Sequence, residues 1–136
     1  MCTFTKLKKF MNKVILSLEP QGIWKNFTAL NAVPRPSKKE ARVIAFMKAF
    51  GASLDLETYE DAIGNIIIRK PATPGMEDRK IVVLQSHLDM VHQKNAATDF
   101  DFLAQGIEMY IKDDWVKAKG TTLGADNGLG VATIMA

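Results

Sequence analysis

The chain has 136 residues, of which 47% are hydrophobic and 24% are charged, and its formal net charge is +3 at pH 7. This length and composition suit one soluble globular domain, and no apolar run approaches the roughly 18 residues of a membrane span. Four lysines and no acids lie in residues 1–18, so the rest of the chain has a net charge of −1. Without a basic footprint, nucleic-acid binding is not expected.

Residues 1–17 form a segment of their own, in which lysines alternate with apolar side chains. This pattern is typical of a basic amphipathic helix that lies on a membrane surface. A secretory signal is a weaker alternative, because no small-residue cleavage site follows the short apolar run of residues 14–18. The single cysteine, Cys2, excludes an internal disulfide and fits a reducing compartment, so we expect a cytoplasmic protein.

A first helix is predicted to open at Pro20, a residue favoured at helix starts, and to run through Leu30. Ile23, Phe27 and Leu30 lie on one face of it. A second helix follows Ser37, which has capping-box spacing with Glu40. Its apolar residues have the spacing of a core-facing helix, and a glycine suited to a helix end comes after them: Val43, Ile44, Met47, Phe50 and Gly51.

Strands are predicted over residues 54–60 and 63–70, meeting near Asp61, and the second is too apolar for an exposed edge. Farther along, Asp113 and Asp114 separate two strand-like runs. Paired acids can bind a metal, but a hairpin turn explains this pair better. His92 is interpreted as a loop residue.

Residues 81–89 predict another strand, because an apolar run gives way to polar residues at His87 and Asp89. Alternate side chains of a strand share a face, so this pair would lie side by side while Leu88 turns into the core. A histidine beside a carboxylate can bind a metal ion through one ring nitrogen while the carboxylate orients the ring. A plain hydrogen-bonded pair at a strand end is the alternative.

A second polar cluster lies in residues 120–130, where four glycines surround Asp126. The glycines permit close approach of the backbone to a ligand. Their spacing fits neither a P-loop nor a dinucleotide-binding turn, so phosphate binding is not predicted. Asp126 is either a ligand or only the N-cap of a helix that begins near Asn127.

With their flanks, the two clusters resemble the M20 metallopeptidases, specifically the aminoacyl-histidine dipeptidase branch, also described as Xaa-His or cytosolic non-specific dipeptidases. The resemblance is carried by residues 64–73, 83–91, 93–95 and 115–128. It implies an α/β fold with a mixed β-sheet flanked by helices. Residues 18–136 would then be the N-terminal portion of the catalytic domain.

The resemblance also implies roles for individual residues. The histidine matching His87 binds one zinc ion, the aspartate matching Asp89 holds its imidazole, and the aspartate matching Asp126 bridges two zinc ions. The peptide bond between Asp126 and Asn127 would be cis. Two Zn²⁺ ions, with Co²⁺ or Mn²⁺ as alternatives, would activate a water that hydrolyses Xaa-His and other small dipeptides, in a full-length homodimer.

The family mechanism also needs a glutamate general base, further acidic ligands and a late histidine, and the resemblance places all of them after residue 136. We therefore expect an N-terminal fragment of a dipeptidase that is inactive by itself. The alternative is a non-catalytic remnant that binds one metal ion weakly or serves as an interaction module.

Overall fold

The computed structural model describes residues 14–136, so most of the predicted amphipathic extension of residues 1–17 lies outside the described residues. In chain order the elements are α1 (Gln21–Asn31), α2 (Ala41–Ser53), β1 (Glu57–Glu60), β2 (Ile66–Arg69), β3 (Met109–Lys112), β4 (Trp115–Ala118) and α3 (Ala125–Met135). Within residues 14–136, no helix is long and apolar enough to cross a membrane.

Helices α1 and α3 pack against each other at the centre of the structure. The predicted apolar face of α1 is confirmed, since Phe27 and Leu30 are fully buried. Two apolar clusters meet along this helix pair. The first cluster joins α1, β3 and α3, and its buried members are Ile15, Phe27, Met109 and Ala132. The second cluster joins α1, α2 and α3, and its buried members are Leu30, Val43, Met47 and Val131.

Helix α2 buries the predicted stripe, but both of its predicted ends are wrong. Glu40 is the N-cap residue and no side chain caps the helix, because the Ser37 hydroxyl donates to the Asp89 carboxylate instead. A charged acceptor binds a hydroxyl more strongly than a neutral group does. Gly51 lies inside the helix, where an added Cβ would collide with Thr58, so the glycine allows close contact with β1.

The strands form two separate antiparallel hairpins, β1 with β2 and β3 with β4. Asp61 holds the first turn, where its Oδ1 accepts hydrogen bonds from the backbone N–H of Ile63 at 3.0 Å and of Asn65 at 2.8 Å. The pKa of Asp61 is lowered, first by the hydrogen bond from the Asn65 side chain and then by these backbone bonds. The predicted hairpin turn at Asp113 and Asp114 is confirmed.

The strand predicted over residues 81–89 is wrong. Ile81, Val82, Val83 and Leu84 are 66–93% exposed, and this segment pairs with no strand among residues 14–136. Directly after it, Met90 forms an isolated parallel bridge with Pro36. A β-type run needs a neighbouring strand for its backbone groups, and none of the described strands pairs with it.

The α/β class is confirmed, but the described strands form two hairpins rather than one mixed sheet. Strand β2 therefore has a single neighbour, β1, and Ile67 on it is 36% exposed. The prediction that this apolar strand is not an edge strand is wrong for the described part of the chain. Its apolar side chains are packed only on the face toward α2.

Candidate metal site

His87 lies between two carboxylates that come from different parts of the chain. Its Nδ1 is 3.0 Å from Asp89 Oδ1, and its Nε2 is 3.0 Å from Asp126 Oδ1. Leu88, between His87 and Asp89, packs against the second apolar cluster, as predicted. The two polar clusters of the sequence therefore meet at one place, although the first lies on an irregular segment rather than on a strand.

Asp126 lies where the start of α3 is distorted. The backbone angles of Asp126 and Asn127 are not helical, and the peptide bond between them is cis, as the family resemblance implies. The Asp126 side chain is 95% exposed. Gly124 is the N-cap residue and no side chain caps the helix, so the interpretation of Asp126 as only a helix cap is wrong.

The electrostatics of the site favour a positive charge at His87. Partial burial lowers the pKa of His87, but hydrogen bonds with Asp126 and Asp89 and the charge of Asp89 outweigh it, so the pKa is raised. The pKa of Asp89 is lowered, first by the hydrogen bond from Ser37, against the opposing effect of partial burial, and then by His87. The imidazole thus faces two anions, a setting that attracts a cation.

Ser37 belongs to this site, and the sequence analysis missed it. Its Oγ donates to Asp89 Oδ2 at 2.5 Å, so each oxygen of Asp89 has a different partner, Ser37 on Oδ2 and His87 on Oδ1. This arrangement fixes the carboxylate, which in turn orients the imidazole ring. No local pattern reports a contact across 52 positions.

The donor atoms fit a zinc ion in kind and in spacing. Imidazole nitrogen and carboxylate oxygen are common zinc ligands at about 2.0–2.2 Å, which places two ligands of a tetrahedral ion about 3.3 Å apart. The 3.0 Å between His87 Nε2 and Asp126 Oδ1 is close to that separation. In number the donors fall short: across residues 14–136, no three His, Cys, Asp or Glu side chains form a group able to hold a metal ion.

His92 lies outside the site, in an irregular segment, as predicted. Its ring packs edge-on against Phe102, with 5.5 Å between the ring centroids. Asp113 and Asp114 lie in the turn between β3 and β4. The described structure therefore brings together His87, Asp89 and Asp126 and leaves the other acids and the other histidine apart.

Comparisons with known proteins identify relatives of this chain. No family model matches the chain. The cytosol non-specific dipeptidase of Escherichia coli K12 is 49% identical over 119 residues, which are 88% of this chain and 24% of that enzyme. The crystal structure of aminoacylhistidine dipeptidase from Vibrio alginolyticus is similar with a TM-score of 0.86 and 46% identity, over 89% of this chain and 25% of the other.

A tripeptidase from Staphylococcus aureus subsp. aureus Mu50 has the same fold, with a TM-score of 0.63 and 21% identity over 87% of this chain and 31% of its own. The fold is therefore an α/β fold that is also found in peptidases. More particularly, the chain is similar in sequence and in fold to a part of these two dipeptidases, which supports the relationship predicted from the sequence. It spans about a quarter of the length of the dipeptidases that it matches.

Proposed function

We propose that the chain is part of a dinuclear zinc dipeptidase, in which His87 and Asp126 are metal ligands and Asp89 orients His87. One observation carries this proposal: His87 Nε2 faces Asp126 Oδ1 at 3.0 Å while Nδ1 is bonded to Asp89. With metal bound, the bond to Asp89 would keep a proton on Nδ1, and the metal ion would take the place of the proton on Nε2. Asp126 has a second oxygen, and its high exposure leaves that oxygen accessible to a second ion.

The substrate class is proposed from the two dipeptidase relatives. It comprises Xaa-His and other small dipeptides, in keeping with the names aminoacylhistidine dipeptidase and non-specific dipeptidase. Bound zinc supplies a Lewis acid that polarises the scissile carbonyl and lowers the pKa of water. The part of this chain is to hold and orient the ligands through His87, Asp89 and Asp126, with Co²⁺ or Mn²⁺ as alternative ions.

The general base and the remaining ligands belong, in this proposal, to parts of a full-length enzyme outside these 136 residues. Residues 18–136 then form the N-terminal portion of the catalytic domain, and residues 1–17 an extension. The proposed full-length enzyme is a cytoplasmic homodimer. Its proposed location is supported by the name of the relative, a cytosol dipeptidase. The 136-residue chain alone has negligible dipeptidase turnover, because two protein ligands leave a zinc ion short of the usual three.

A second candidate is a non-catalytic module that binds one metal ion weakly. It is favoured by the lack, among residues 14–136, of any group of three potential ligands. The two candidates agree on His87 and Asp126 as ligands, and they differ in whether this segment can support hydrolysis when the rest of an enzyme is present.

Zinc titration of the 136-residue chain tests the ligand assignment. We expect weak uptake of one zinc ion, lost in His87→Ala and in Asp126→Ala. His92→Ala is the matched control, because this histidine is also exposed and also lies outside helices and strands. Equal loss in the control, or unchanged uptake in His87→Ala, would overturn the assignment. Tight binding of two zinc ions would contradict the partial site.

A chimera tests the catalytic proposal. Residues of this chain replace the matched 119-residue segment of the E. coli enzyme, and hydrolysis of a Xaa-His dipeptide is measured. We expect turnover of the same order as in the parent enzyme. His87→Ala should lower the turnover of the chimera by at least about 100-fold, because even residues that only support metal ligands can change activity by up to about that much. A folded, zinc-loaded chimera without turnover would favour the non-catalytic module.

A further inference from the structure

Arg35 lies beneath the candidate site and is 1% exposed. Its Nη1 donates to the backbone carbonyl oxygens of Leu88 at 3.1 Å and of Asp89 at 3.3 Å. Its Nη2 donates to Gly124 O at 2.8 Å and to Asn31 Oδ1 at 3.0 Å. One guanidinium therefore joins the segment that carries His87 to the segment that leads into Asp126.

Two of the glycines around Asp126 lie against this guanidinium. A Cβ on Gly124 would come within 2.5 Å of Arg35 Nη2, and one on Gly128 within 2.6 Å. The sequence pattern suggested that these glycines allow close approach to a ligand. In the structure, the Arg35 side chain comes closest to both glycines, and the Met90 sulfur at Gly124 and the Phe27 ring at Gly128 lie slightly farther away.

Further contacts tie the same segments to the end of α1. The backbone N–H of Met90 donates to Arg35 O at 3.0 Å. The side chain of Asn31 accepts from Arg35 and donates to Leu123 O at 3.1 Å. Burial lowers the pKa of Arg35 to about 10, against the opposing charge of Asp89, so the side chain stays positively charged at neutral pH.

We propose that Arg35 is a positioning residue, whose two-nitrogen fork holds the His87 and Asp126 segments together so that the two side chains stay in contact. This inference rests on the proposed function of His87 and Asp126 as metal ligands. An arginine suits the task because its planar guanidinium presents two nitrogens to separate acceptors, whereas the single ammonium of lysine cannot reach both.

The competing role for Arg35 is a purely structural one, in which its buried charge stabilises the fold without setting the site. Arg35→Lys separates the two roles, because it keeps the charge and loses the fork. Arg42→Lys is the matched control, since Arg42 also donates to a backbone carbonyl, Leu103 O at 2.6 Å, but is exposed. Circular dichroism establishes that each variant is folded.

A second perturbation leaves Arg35 in place. Gly128→Ala adds a methyl group that would lie 2.6 Å from Arg35 Nη2 and 2.9 Å from the Phe27 ring, so the guanidinium, the ring or both must move. Gly22→Ala is its control, because a Cβ there meets only the Ala136 side chain, at 3.5 Å. Should Arg35→Lys fail to fold, the Gly128→Ala and Gly22→Ala pair carries the test.

The experiment has two measurements. The first is the nuclear Overhauser contact between the His87 ring and the Asp126 β-protons in the metal-free chain. The second is zinc affinity. We expect the nuclear Overhauser contact in the parent chain and in both controls, and its loss in folded Arg35→Lys and Gly128→Ala. In these two variants zinc affinity should also fall by about 10-fold or more, which is the usual effect of removing a residue that supports metal ligands.

The outcomes separate this inference from the proposed function. The positioning role is overturned if the contact is absent from the parent chain, or if it persists with unchanged zinc affinity in the folded variants. The proposed ligands fail instead if His87→Ala leaves zinc affinity unchanged. The contact is observed without metal, so it tests Arg35 whichever result the zinc titration gives.

Discussion

Replacing Ser37 by alanine removes the hydrogen bond that fixes the Asp89 carboxylate. Hydrogen bonds to charged groups contribute about 1.5–3 kcal/mol, and solvent replaces part of that where the acceptor is accessible. The Asp89 side chain is 33% exposed, so we expect Ser37→Ala to lower the free energy of unfolding by about 1 kcal/mol. Urea denaturation at neutral pH measures it.

A matched control and a double-mutant cycle isolate this contact. Ser17→Ala removes a hydroxyl that donates to Val14 O at 2.8 Å on the surface, and we expect a change within about 0.5 kcal/mol. In a cycle with Asp89→Asn, the coupling with Ser37→Ala should be about 1 kcal/mol. Equal effects of the two serine variants, or additive effects of Ser37→Ala and Asp89→Asn, would contradict a stabilising hydrogen bond between Ser37 and Asp89.

Three other predictions test the fold. Val43→Ala, at a fully buried residue, should lower the free energy of unfolding by about 2 kcal/mol. Val83→Ala, at a residue that is 82% exposed, should change it by less than about 0.5 kcal/mol. Similar losses for both variants in urea denaturation would contradict the described burial. Gly51→Ala should lower the melting temperature because its methyl group collides with Thr58 of β1. Gly22→Ala should raise the melting temperature slightly, because a Cβ there makes only an ordinary contact with Ala136; a rise in both variants would count against the contact between Gly51 and β1. Because the pKa of Asp61 is lowered, its carboxylate stabilises the β1–β2 turn at pH values above the ordinary aspartate pKa, and this effect is lost as the pH falls through the lowered pKa. The amide chemical shifts of the hairpin should therefore titrate with a midpoint below pH 3.8, and this titration should be absent from Asp61→Asn. A midpoint above pH 3.8 would contradict the assigned hydrogen bonds.

Periodic patterns predicted the helices well, because burial along a helix repeats with the helical turn. The faces of Phe27 and Leu30 on α1 and of Val43 and Met47 on α2 are the buried ones. The sequence also predicted the hairpin turn at Asp113 correctly. Local patterns failed where a distant group decides the outcome, as at Gly51, where the helix continues because a side chain of β1 packs against it.

The candidate site divides in the same way. The meeting of His87 with Asp126 followed from the family resemblance, and the structure has it. Ser37 was assigned to a helix cap, since a capping box is a local pattern and its charged partner lies far along the chain. Arg35 gave no signal, because an arginine between two prolines in a link is typical of the surface. Here the side chain lies in the core, where its Nη1 and Nη2 donate to backbone carbonyls and to Asn31 Oδ1.

The apolar segment of residues 81–84 shows what hydrophobicity alone cannot decide. Its composition predicts burial in a sheet, but a strand needs a partner for its backbone groups, and among residues 14–136 no strand lies beside it. The run therefore remains exposed, and the polar residues that follow it are held by side-chain and backbone contacts with the link after α1.

The central claim is that His87 and Asp126 bind one cation between them. Crystals of the chain grown with zinc, and measured on both sides of the zinc absorption edge, test it most directly. We expect an anomalous peak within about 2.0–2.2 Å of His87 Nε2 and of an Asp126 carboxylate oxygen. A zinc ion bound at His92, or one that contacts only one member of the pair, would contradict it.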